Sequence, residues 1–256
     1  MSEIQWLQDD LFEISGTNFR VTSIFDSRDD MEDDCFYIAK GRDDFDLYCE
    51  ELKNTPLSKI LEIGIFKGGS VAFMDAAFSP EKLVAIEFDN NRQAALDDYI
   101  EKFGRSEAVF CEYGLDQSDS QRIPALLEVH FPNRDIDLVV DDASHYYEET
   151  RASFNMIFPY LKKGGMYIIE DWSWAHSEVP IFEDERFDWS KKPSLANLVF
   201  EIIMIFGSGR SAGLISDLKV NKNMLFITRG DKDIAPGEFD ISDAYYSRHR
   251  SFSPTV

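Results

Sequence analysis

The sequence predicts an α/β protein with a mostly parallel β-sheet, and three features of the chain support this prediction. From Lys59 onward, short apolar runs alternate with amphipathic stretches of helical length. This alternation is typical of parallel strands joined by crossover helices. Glycines and acidic residues directly follow several of the runs, at the sheet edge where open α/β proteins bind ligands. Near the end of the chain, two strand-like runs flank a turn sequence and predict an antiparallel hairpin.

Five short apolar runs are the predicted parallel strands. They are Lys59–Ile63, Leu83–Phe88, Ala108–Cys111, Ile136–Asp141 and Met166–Glu170. The hairpin adds Leu218–Val220 and Met224–Thr228 on either side of Asn221-Lys222-Asn223, which is a good tight-turn sequence. Together these runs predict a sheet of seven strands.

The stretches between the strands have the apolar spacing of helices. They are Ser70–Phe78, Asn91–Phe103, Gln121–Phe131 and Tyr147–Leu161. The last one is expected to end at Lys162-Lys163-Gly164-Gly165, because cations and glycine suit a helix C-terminus. A further helix at Ser194–Phe206 has a predicted buried stripe formed by Leu195, Leu198, Val199, Ile202, Ile203 and Phe206.

The remaining segments divide the chain into three parts. Residues 1–55 are acidic, with a cluster at Asp29–Asp34, and are expected to form an irregular N-terminal extension that packs over the main domain, in the manner of a lid. Residues 56–230 form the predicted main domain, and residues 231–256 form a C-terminal tail.

Composition limits the classes of partner. The 256 residues carry a formal net charge of −22, so the surface would repel a phosphate backbone and nucleic acid is excluded as a partner. Three cysteines without Cys-x-x-Cys spacing predict neither a disulfide framework nor a thiolate zinc site. The N-terminus lacks secretory features, and the longest apolar stretch is too short to span a bilayer. We therefore expect a cytoplasmic protein with no membrane partner, whose oligomeric state the sequence leaves open.

A glycine-rich segment follows the first parallel strand. It reads Glu62-Ile63-Gly64-Ile65-Phe66-Lys67-Gly68-Gly69-Ser70. A dinucleotide fingerprint requires glycine where Phe66 stands, and a phosphate-binding P-loop requires lysine where Ser70 stands. Both phosphate-binding interpretations fail, which leaves the pattern Glu-x-Gly-x-x-x-Gly-Gly.

Acidic residues also follow the next strands. Glu87 ends the second strand, where a carboxylate can accept both hydroxyls of a ribose. Asp89 is expected to cap the following helix. After the third strand comes Gly114-Leu115-Asp116-Gln117.

Carboxylates and one histidine follow the fourth and fifth strands. Asp142, Glu170 and Asp171 could provide three oxygen ligands to a hard divalent ion such as Mg²⁺. Neighbouring side chains in a strand face opposite ways, so Asp171 can share an ion with Glu170 only if it already lies in the loop. His145 is the natural general base, because a neutral imidazole can accept a hydroxyl proton near neutral pH.

These motifs, and the hairpin after five parallel strands, resemble class I S-adenosylmethionine-dependent methyltransferases, which have a Rossmann-like fold. The resemblance implies that Gly64 and the following loop line the methionine part of the donor, and that Glu62 holds its ammonium group. It further implies the other donor contacts: Gly68 and Ser70 in the loop, Glu87 at the ribose, Asp116 and Gln117 at the adenine, and Asp141. Leu115, inserted before Asp116, departs from the Gly-Asp-Gln pattern of similar enzymes.

The segment from Asp142 to Asp171 is more specific. It resembles metal-dependent sugar O-methyltransferases of macrolide biosynthesis and related cephalosporin hydroxylase-like proteins, over roughly residues 46–230. By this resemblance, Asp142, Glu170 and Asp171 bind Mg²⁺ or another divalent cation, and His145 is the catalytic base. Ala143 departs from the glycine that relatives often have.

The expected activity is methyl transfer from S-adenosylmethionine to a hydroxyl of a small molecule, such as a sugar of a natural product. Two alternatives remain: a catechol-type O-methyltransferase, and a donor-binding partner or regulatory subunit without turnover. The acceptor cannot be read from the sequence. Its pocket is expected to come from the N-terminal extension and the Trp172–Lys192 segment, neither of which carries a motif.

Overall fold

The computed structural model describes residues 1–22 and 35–246, which form two compact units. Of these described residues, the first unit contains those within Met1–Asp119 and Ile136–Ala143, and the second contains those within Ser120–Asp135 and Ser144–Val256. The predicted acidic cluster Asp29–Asp34 lies outside the described residues.

The first unit contains four parallel strands of the main sheet. Three of them are almost entirely buried, and their near-continuous apolar sequences suit strands that are covered on both faces. The N-terminal part of this unit is more regular than predicted, because it forms a sheet of four strands and a helix. The elements are β1 (Gln5–Trp6), β2 (Leu11–Ile14), β3 (Thr17–Thr22), β4 (Cys35–Ala39), α1 (Arg42–Leu52), β5 (Lys59–Ile63), α2 (Gly69–Phe78), β6 (Lys82–Glu87), α3 (Ala94–Lys102), β7 (Val109–Tyr113) and β8 (Ile136–Asp141).

The small N-terminal sheet has the order β1-β2-β3-β4, in which β3 and β4 pair in parallel. The strands β2 and β3 alternate between buried and half-buried residues, which is the pattern of a sheet with one covered face. Aromatic side chains fill that face: Phe12 stacks on Phe19 with ring centroids 5.3 Å apart, and both contact Phe73 of α2 at 6.1 Å. The N-terminal sheet therefore shares its core with a helix of the main sheet.

The second unit contains the antiparallel part of the main sheet and three helices. They are α4 (Arg122–His130), α5 (Tyr147–Ile157), β9 (Leu161–Glu170), α6 (Ala196–Gly207), β10 (Ile215–Val220) and β11 (Met224–Arg229). The predicted hairpin is present as β10 and β11, and β11 also pairs antiparallel with β9. The predicted helix C-terminus at Lys162–Gly165 is wrong, because α5 ends at Ile157 and these residues already belong to β9.

The buried face of α6 differs from the prediction. Ile203 and Phe206 are 43% and 49% exposed, whereas Ile205 faces the interior. Glu201 explains the orientation: this buried carboxylate accepts hydrogen bonds from Tyr147, Tyr245 and Arg151, each at 3.0 Å. A buried charge is tolerated only with such partners, so they fix which side of α6 faces inward.

The main sheet has seven strands, with β8-β5-β6-β7 in the first unit and β10-β11-β9 in the second. The strand pairs within the first group are parallel, and those within the second group are antiparallel. The predicted fold class is confirmed, while several element ends differ from the prediction by one to a few residues. None of the helices in the described part of the chain is long and apolar enough to cross a membrane.

Candidate functional site

The glycine-rich loop leaves β5 against the end of β8. Gly64 has a φ of +102°, and a Cβ atom there would lie 2.1 Å from the backbone carbonyl oxygen of Asp142. Only glycine fits such a conformation and such a close approach. Gly68, with a φ of +83°, is the N-cap of α2, and its N–H donates to the Ile65 carbonyl at 2.7 Å. The loop is therefore a tight turn held against the neighbouring strand.

The N-terminal sheet approaches the same loop from another side. A Cβ atom on Gly69 would lie 1.9 Å from the carbonyl oxygen of Tyr37 in β4. The backbone of β4 thus rests on the first residue of α2. The sequence motif alone explains Gly64 and Gly68 as turn residues, whereas Gly69 is required by this contact.

Glu62 is a buried carboxylate at the base of the loop. It is 1% exposed, accepts a hydrogen bond from Ser70, and its Oε2 atom has no hydrogen-bond partner among the described residues. Burial raises the pKa of Glu62 to about 7, partly opposed by the Ser70 hydrogen bond. An incompletely satisfied buried carboxylate is costly, and a cationic group would remove that cost.

Glu87, at the end of β6, holds the loop from outside. Its Oε2 accepts the backbone N–H groups of Ile65 and Phe66 at 3.0 and 2.8 Å, and its Oε1 accepts that of Asp89 at 3.0 Å. The hydrogen bond from the Phe66 N–H supports this residue in its left-handed conformation, with a φ of +49°. Glu87 is therefore tied to the glycine loop, and its charge lies beside it.

Asp89 does not cap the next helix. Its Oδ1 accepts the backbone and side-chain N–H groups of Asn91 at 2.9 and 2.7 Å. Since α3 begins only at Ala94, with Gln93 as its N-cap, Asp89 closes a turn before the helix.

Three of the predicted donor residues lie around the ends of β7 and β8. The Gln117 side chain is buried and donates to Asp141 Oδ1 at 3.2 Å. Asp116 accepts the backbone N–H and hydroxyl of Ser118 at 2.8 and 2.7 Å, so it stabilises its own turn. The inserted Leu115 is buried, which explains how the loop accommodates the extra residue. The structure therefore brings Gln117 and Asp141 together.

Asp142 forms an ion pair that the sequence did not predict. Its Oδ2 lies 3.0 Å from Nζ of Lys40, a side chain that is only 8% exposed. Lys40 follows β4 directly and lies 5.6 Å above the ring of Tyr48. No motif surrounds Lys40, and only its position after an apolar run in an acidic segment could have drawn attention to it.

In the second unit, His145 and Asp171 come close together. Each offers a potential metal-ligand atom, and these atoms lie within 4.8 Å of each other. Both residues have left-handed backbones, with φ values of +56° and +50°. Glu170 is the last residue of β9 and is buried, so Asp171 lies in the loop, as the spacing of the two acids required.

Trp174 supports His145. Its indole N–H donates to the His145 carbonyl at 2.7 Å. The Trp174 ring packs against Tyr146, Phe182 and Trp189 with centroid distances of 6.3, 5.4 and 4.9 Å. A non-glycine residue in the left-handed region costs about 1–3 kcal/mol and persists only where its surroundings hold it. The indole and its aromatic neighbours supply that support, which sequence reasoning missed.

Comparisons with known proteins agree with this architecture. Residues 61–172 match a protein family described as "Methyltransferase domain". The chain is 25% identical over 202 residues to the demethylmacrocin O-methyltransferase of Streptomyces fradiae, covering 73% of this chain and 47% of that protein. It is 31% identical over 120 residues to the L-olivosyl-oleandolide 3-O-methyltransferase of Streptomyces antibioticus, covering 44% and 28%.

A solved structure shares the fold. It is the MycE methyltransferase from the mycinamycin biosynthetic pathway in complex with Mg, SAH and mycinamycin VI, with a TM-score of 0.52 and 26% identity over 76% of this chain and 51% of that chain. The fold is that of a class I methyltransferase. The chain spans about half the length, or less, of these relatives.

Within this methyltransferase fold, the predicted donor residues lie in the first unit. Glu62 and Ser70 are hydrogen-bonded to each other, Glu87 is bonded to the loop, and Gly64 contacts the backbone of Asp142. The structure also shows the ion pair of Lys40 with Asp142, and Lys40 belongs to the segment that was expected to be an N-terminal extension.

Proposed function

We propose that this chain is an S-adenosylmethionine-dependent O-methyltransferase that acts on a hydroxyl group of a small molecule. The observation that carries the proposal is the buried Oε2 of Glu62, which has no hydrogen-bond partner in the described part of the chain, at the base of a glycine loop without a phosphate fingerprint. A carboxylate repels phosphate but attracts the ammonium group of a methionine moiety. The relatives reported above are O-methyltransferases and support the same activity.

The donor contacts follow from the sheet edge. Glu62 would hold the ammonium group, and Gly64, Gly68 and Ser70 would line the methionine chain. Glu87 would accept the ribose hydroxyls while it keeps its bonds to Ile65 and Phe66, since a carboxylate can accept about four hydrogen bonds. Asp116, Gln117 and Asp141 would border the adenine end.

For the metal, we propose Asp142, Glu170 and Asp171 as ligands, with Mg²⁺ or another divalent cation. Carboxylate oxygens are the donors that this ion prefers. A bound divalent cation would fix the acceptor hydroxyl and make it more acidic. The proximity of His145 to Asp171 supports a site at this loop.

His145 would accept the acceptor's proton. The hydrogen bond from the Trp174 indole to the His145 carbonyl restrains the backbone of His145. This restraint limits the positions that the His145 ring can take. Because the methyl carbon, the sulfur and the acceptor oxygen must lie in line, such restraint contributes directly to rate.

For the methyl acceptor, we propose only a chemical class of compound. The L-olivosyl-oleandolide 3-O-methyltransferase is named for a compound that carries a sugar, so we propose a sugar hydroxyl of such a compound. The cytoplasmic location and the lid role of residues 1–55 stay predictions, and the oligomeric state stays open.

The test is transfer of a labelled methyl group from S-adenosylmethionine to a panel of glycosylated macrolides and free deoxysugars, with Mg²⁺ or with chelator. We expect a methyl ether product that depends on the metal and is lost in Asp142→Ala. A matched control is Asp89→Ala, which removes an acid from the turn before α3. Failure to bind S-adenosylhomocysteine at millimolar concentration would refute the proposal, and full activity in chelator would refute its metal part.

A further inference from the structure

We propose that Lys40 binds the carboxylate of the methyl donor's methionine moiety, opposite Glu62, which binds the ammonium group. This inference rests on the proposed function, because it names a further residue of the same donor site. It also assigns a binding role to the segment before residue 56, which no motif indicated.

The side chain of Lys40 is buried and ion-paired. Its side chain is 8% exposed and its ammonium lies 3.0 Å from Asp142 Oδ2. Desolvating an ammonium group is costly, so a lysine is kept in such a position only where it has anionic acceptors. The ammonium also lies 5.6 Å from the centre of the ring of Tyr48, which is itself buried. The cation is therefore held in one place rather than solvated.

Lys40 and its ion-pair partner lie beside the glycine loop. The backbone of Asp142, the ion-pair partner of Lys40, touches Gly64, and the carbonyl of Tyr37, three residues before Lys40, touches Gly69. One end of the glycine loop therefore borders the ion-pair partner of Lys40, and the other end borders the strand that leads to Lys40. Lys40 and Asp142 also lie close enough to Glu62 to affect its pKa, although burial has the larger effect.

The charges of Glu62 and Lys40 are complementary to those at the amino-acid end of the methyl donor. The amino-acid end of S-adenosylmethionine is a zwitterion, with one ammonium and one carboxylate on the same carbon. A buried site for this end needs one anion and one cation, and the loop is bordered by Glu62 and Lys40. An ammonium carries three donors, so it can serve more than one acceptor at a time. A nucleoside alone would require neither charge.

The alternative is that Lys40 serves only as the counter-ion of Asp142. In that case its removal would leave donor binding unchanged and would raise the affinity for a divalent cation, because a competing positive charge would be gone. The two roles therefore differ in which ligand responds.

The experiment uses three ligands that differ at the amino-acid end. S-adenosylmethionine has both charges, decarboxylated S-adenosylmethionine lacks the carboxylate, and 5′-methylthioadenosine lacks both groups. Their dissociation constants would be measured by calorimetry for the wild-type chain, Lys40→Met, Lys40→Arg and Glu62→Gln. The control is Lys53→Met, which removes an exposed lysine paired with Glu50 at the end of α1. Thermal unfolding checks that each variant is folded.

We expect Lys40→Met to weaken S-adenosylmethionine about 10- to 100-fold, the usual range for one charge-assisted hydrogen bond, and to leave the decarboxylated ligand unchanged. Lys40→Arg should retain part of the affinity. Glu62→Gln should weaken both charged ligands and leave 5′-methylthioadenosine unchanged.

Equal effects of Lys40→Met on S-adenosylmethionine and its decarboxylated form would overturn the inference, as would no effect on either. Tighter binding of Mn²⁺ with unchanged donor binding would establish the counter-ion role instead. If the wild-type chain binds none of the three ligands, the proposed function fails, which is a different result from a failure of Lys40 alone.

Discussion

At the scale of single residues, the proposed donor site depends on a carboxylate whose pKa the fold shifts far from its ordinary value. Burial raises the pKa of Glu62 from 4.5 to about 7. Between these values the folded chain keeps a proton that the unfolded chain releases. A bound ammonium group favours the ionised form, so ligand binding and proton release are coupled.

Donor affinity should therefore depend on pH. Below about pH 7, binding of S-adenosylhomocysteine must first remove the proton from Glu62, so its affinity should fall roughly tenfold per pH unit. Above that pH the affinity should level off. Calorimetry across this range would measure the effect. The Glu62→Gln variant should bind weakly, with an affinity that does not change with pH. A wild-type affinity that is constant below neutral pH would contradict the proposed role.

The second residue-scale prediction concerns His145. His145→Ala should lower turnover by about two to four orders of magnitude, because a positioned base typically contributes that much. Donor affinity should be nearly unchanged, since Glu62 and Glu87 lie on other loops. His145→Asn keeps a polar group that cannot accept the proton. Normal turnover in either variant would show that His145 is structural, and loss of metal binding in both would make it a ligand.

Single residues also show what sequence can predict about a site. Glu62, Gly64 and Glu87 were predicted because each stands at a strand end with a recognisable spacing. Lys40 and Trp174 were not, because their roles depend on contacts with Asp142 and His145, which are 102 and 29 residues away in the chain. No local pattern records such a contact.

At the scale of elements, the contact between β4 and α2 leaves no room for a side chain at Gly69. A methyl group on Gly69 would lie 1.9 Å from the Tyr37 carbonyl, and backbone cannot move aside as a flexible side chain can.

Gly69→Ala should therefore destabilise the chain by about 1–3 kcal/mol or more, the usual cost of overpacking. The matched control is Gly207→Ala at the end of α6, where nothing lies within 4 Å of the added atom. Alanine is favoured over glycine in helices by up to about 1 kcal/mol, so the control should be neutral or stabilising. Urea unfolding would measure both. Equal stability of Gly69→Ala and the wild-type chain would mean that β4 does not rest on the loop.

Element predictions failed where one pattern fits two structures. Lys162-Lys163-Gly164-Gly165 suits a helix end, but these residues belong to β9, whose later residues Met166–Glu170 pair with β11. The face of α6 was wrong at Ile203 and Phe206 because apolar residues occupy more than one side of this helix, and the partners of Glu201 decide which side is buried. Both outcomes depend on tertiary pairing, which periodicity does not encode.

At the scale of the whole molecule, charge is the dominant feature. A net charge of −22 on 256 residues makes the folded chain repel itself, because folding brings the charges closer together. Fold class, by contrast, was predictable, since the alternation of buried strands and helices extends over most of the chain and survives errors at single boundaries.

The unfolding temperature should accordingly rise when monovalent salt is increased from about 10 to 150 mM, because the screening length shortens to about 8 Å. Choline chloride at equal ionic strength should act like sodium chloride, whereas an additional rise with Mg²⁺ at matched ionic strength would report specific binding. A falling unfolding temperature would show that attractive ion pairs outweigh the repulsion. Scanning calorimetry distinguishes these results.

The aromatic core that Phe12 and Phe19 share with Phe73 also determines the order in which the chain can fold on the ribosome. The N-terminal strands are synthesised first, yet the ring that completes their core arrives more than fifty residues later. At about 5–20 residues per second, synthesis of the residues up to Phe73 takes several seconds, during which Phe12 and Phe19 lack this packing partner. Chaperone contacts during synthesis should therefore concentrate on the first strands and end once α2 has emerged.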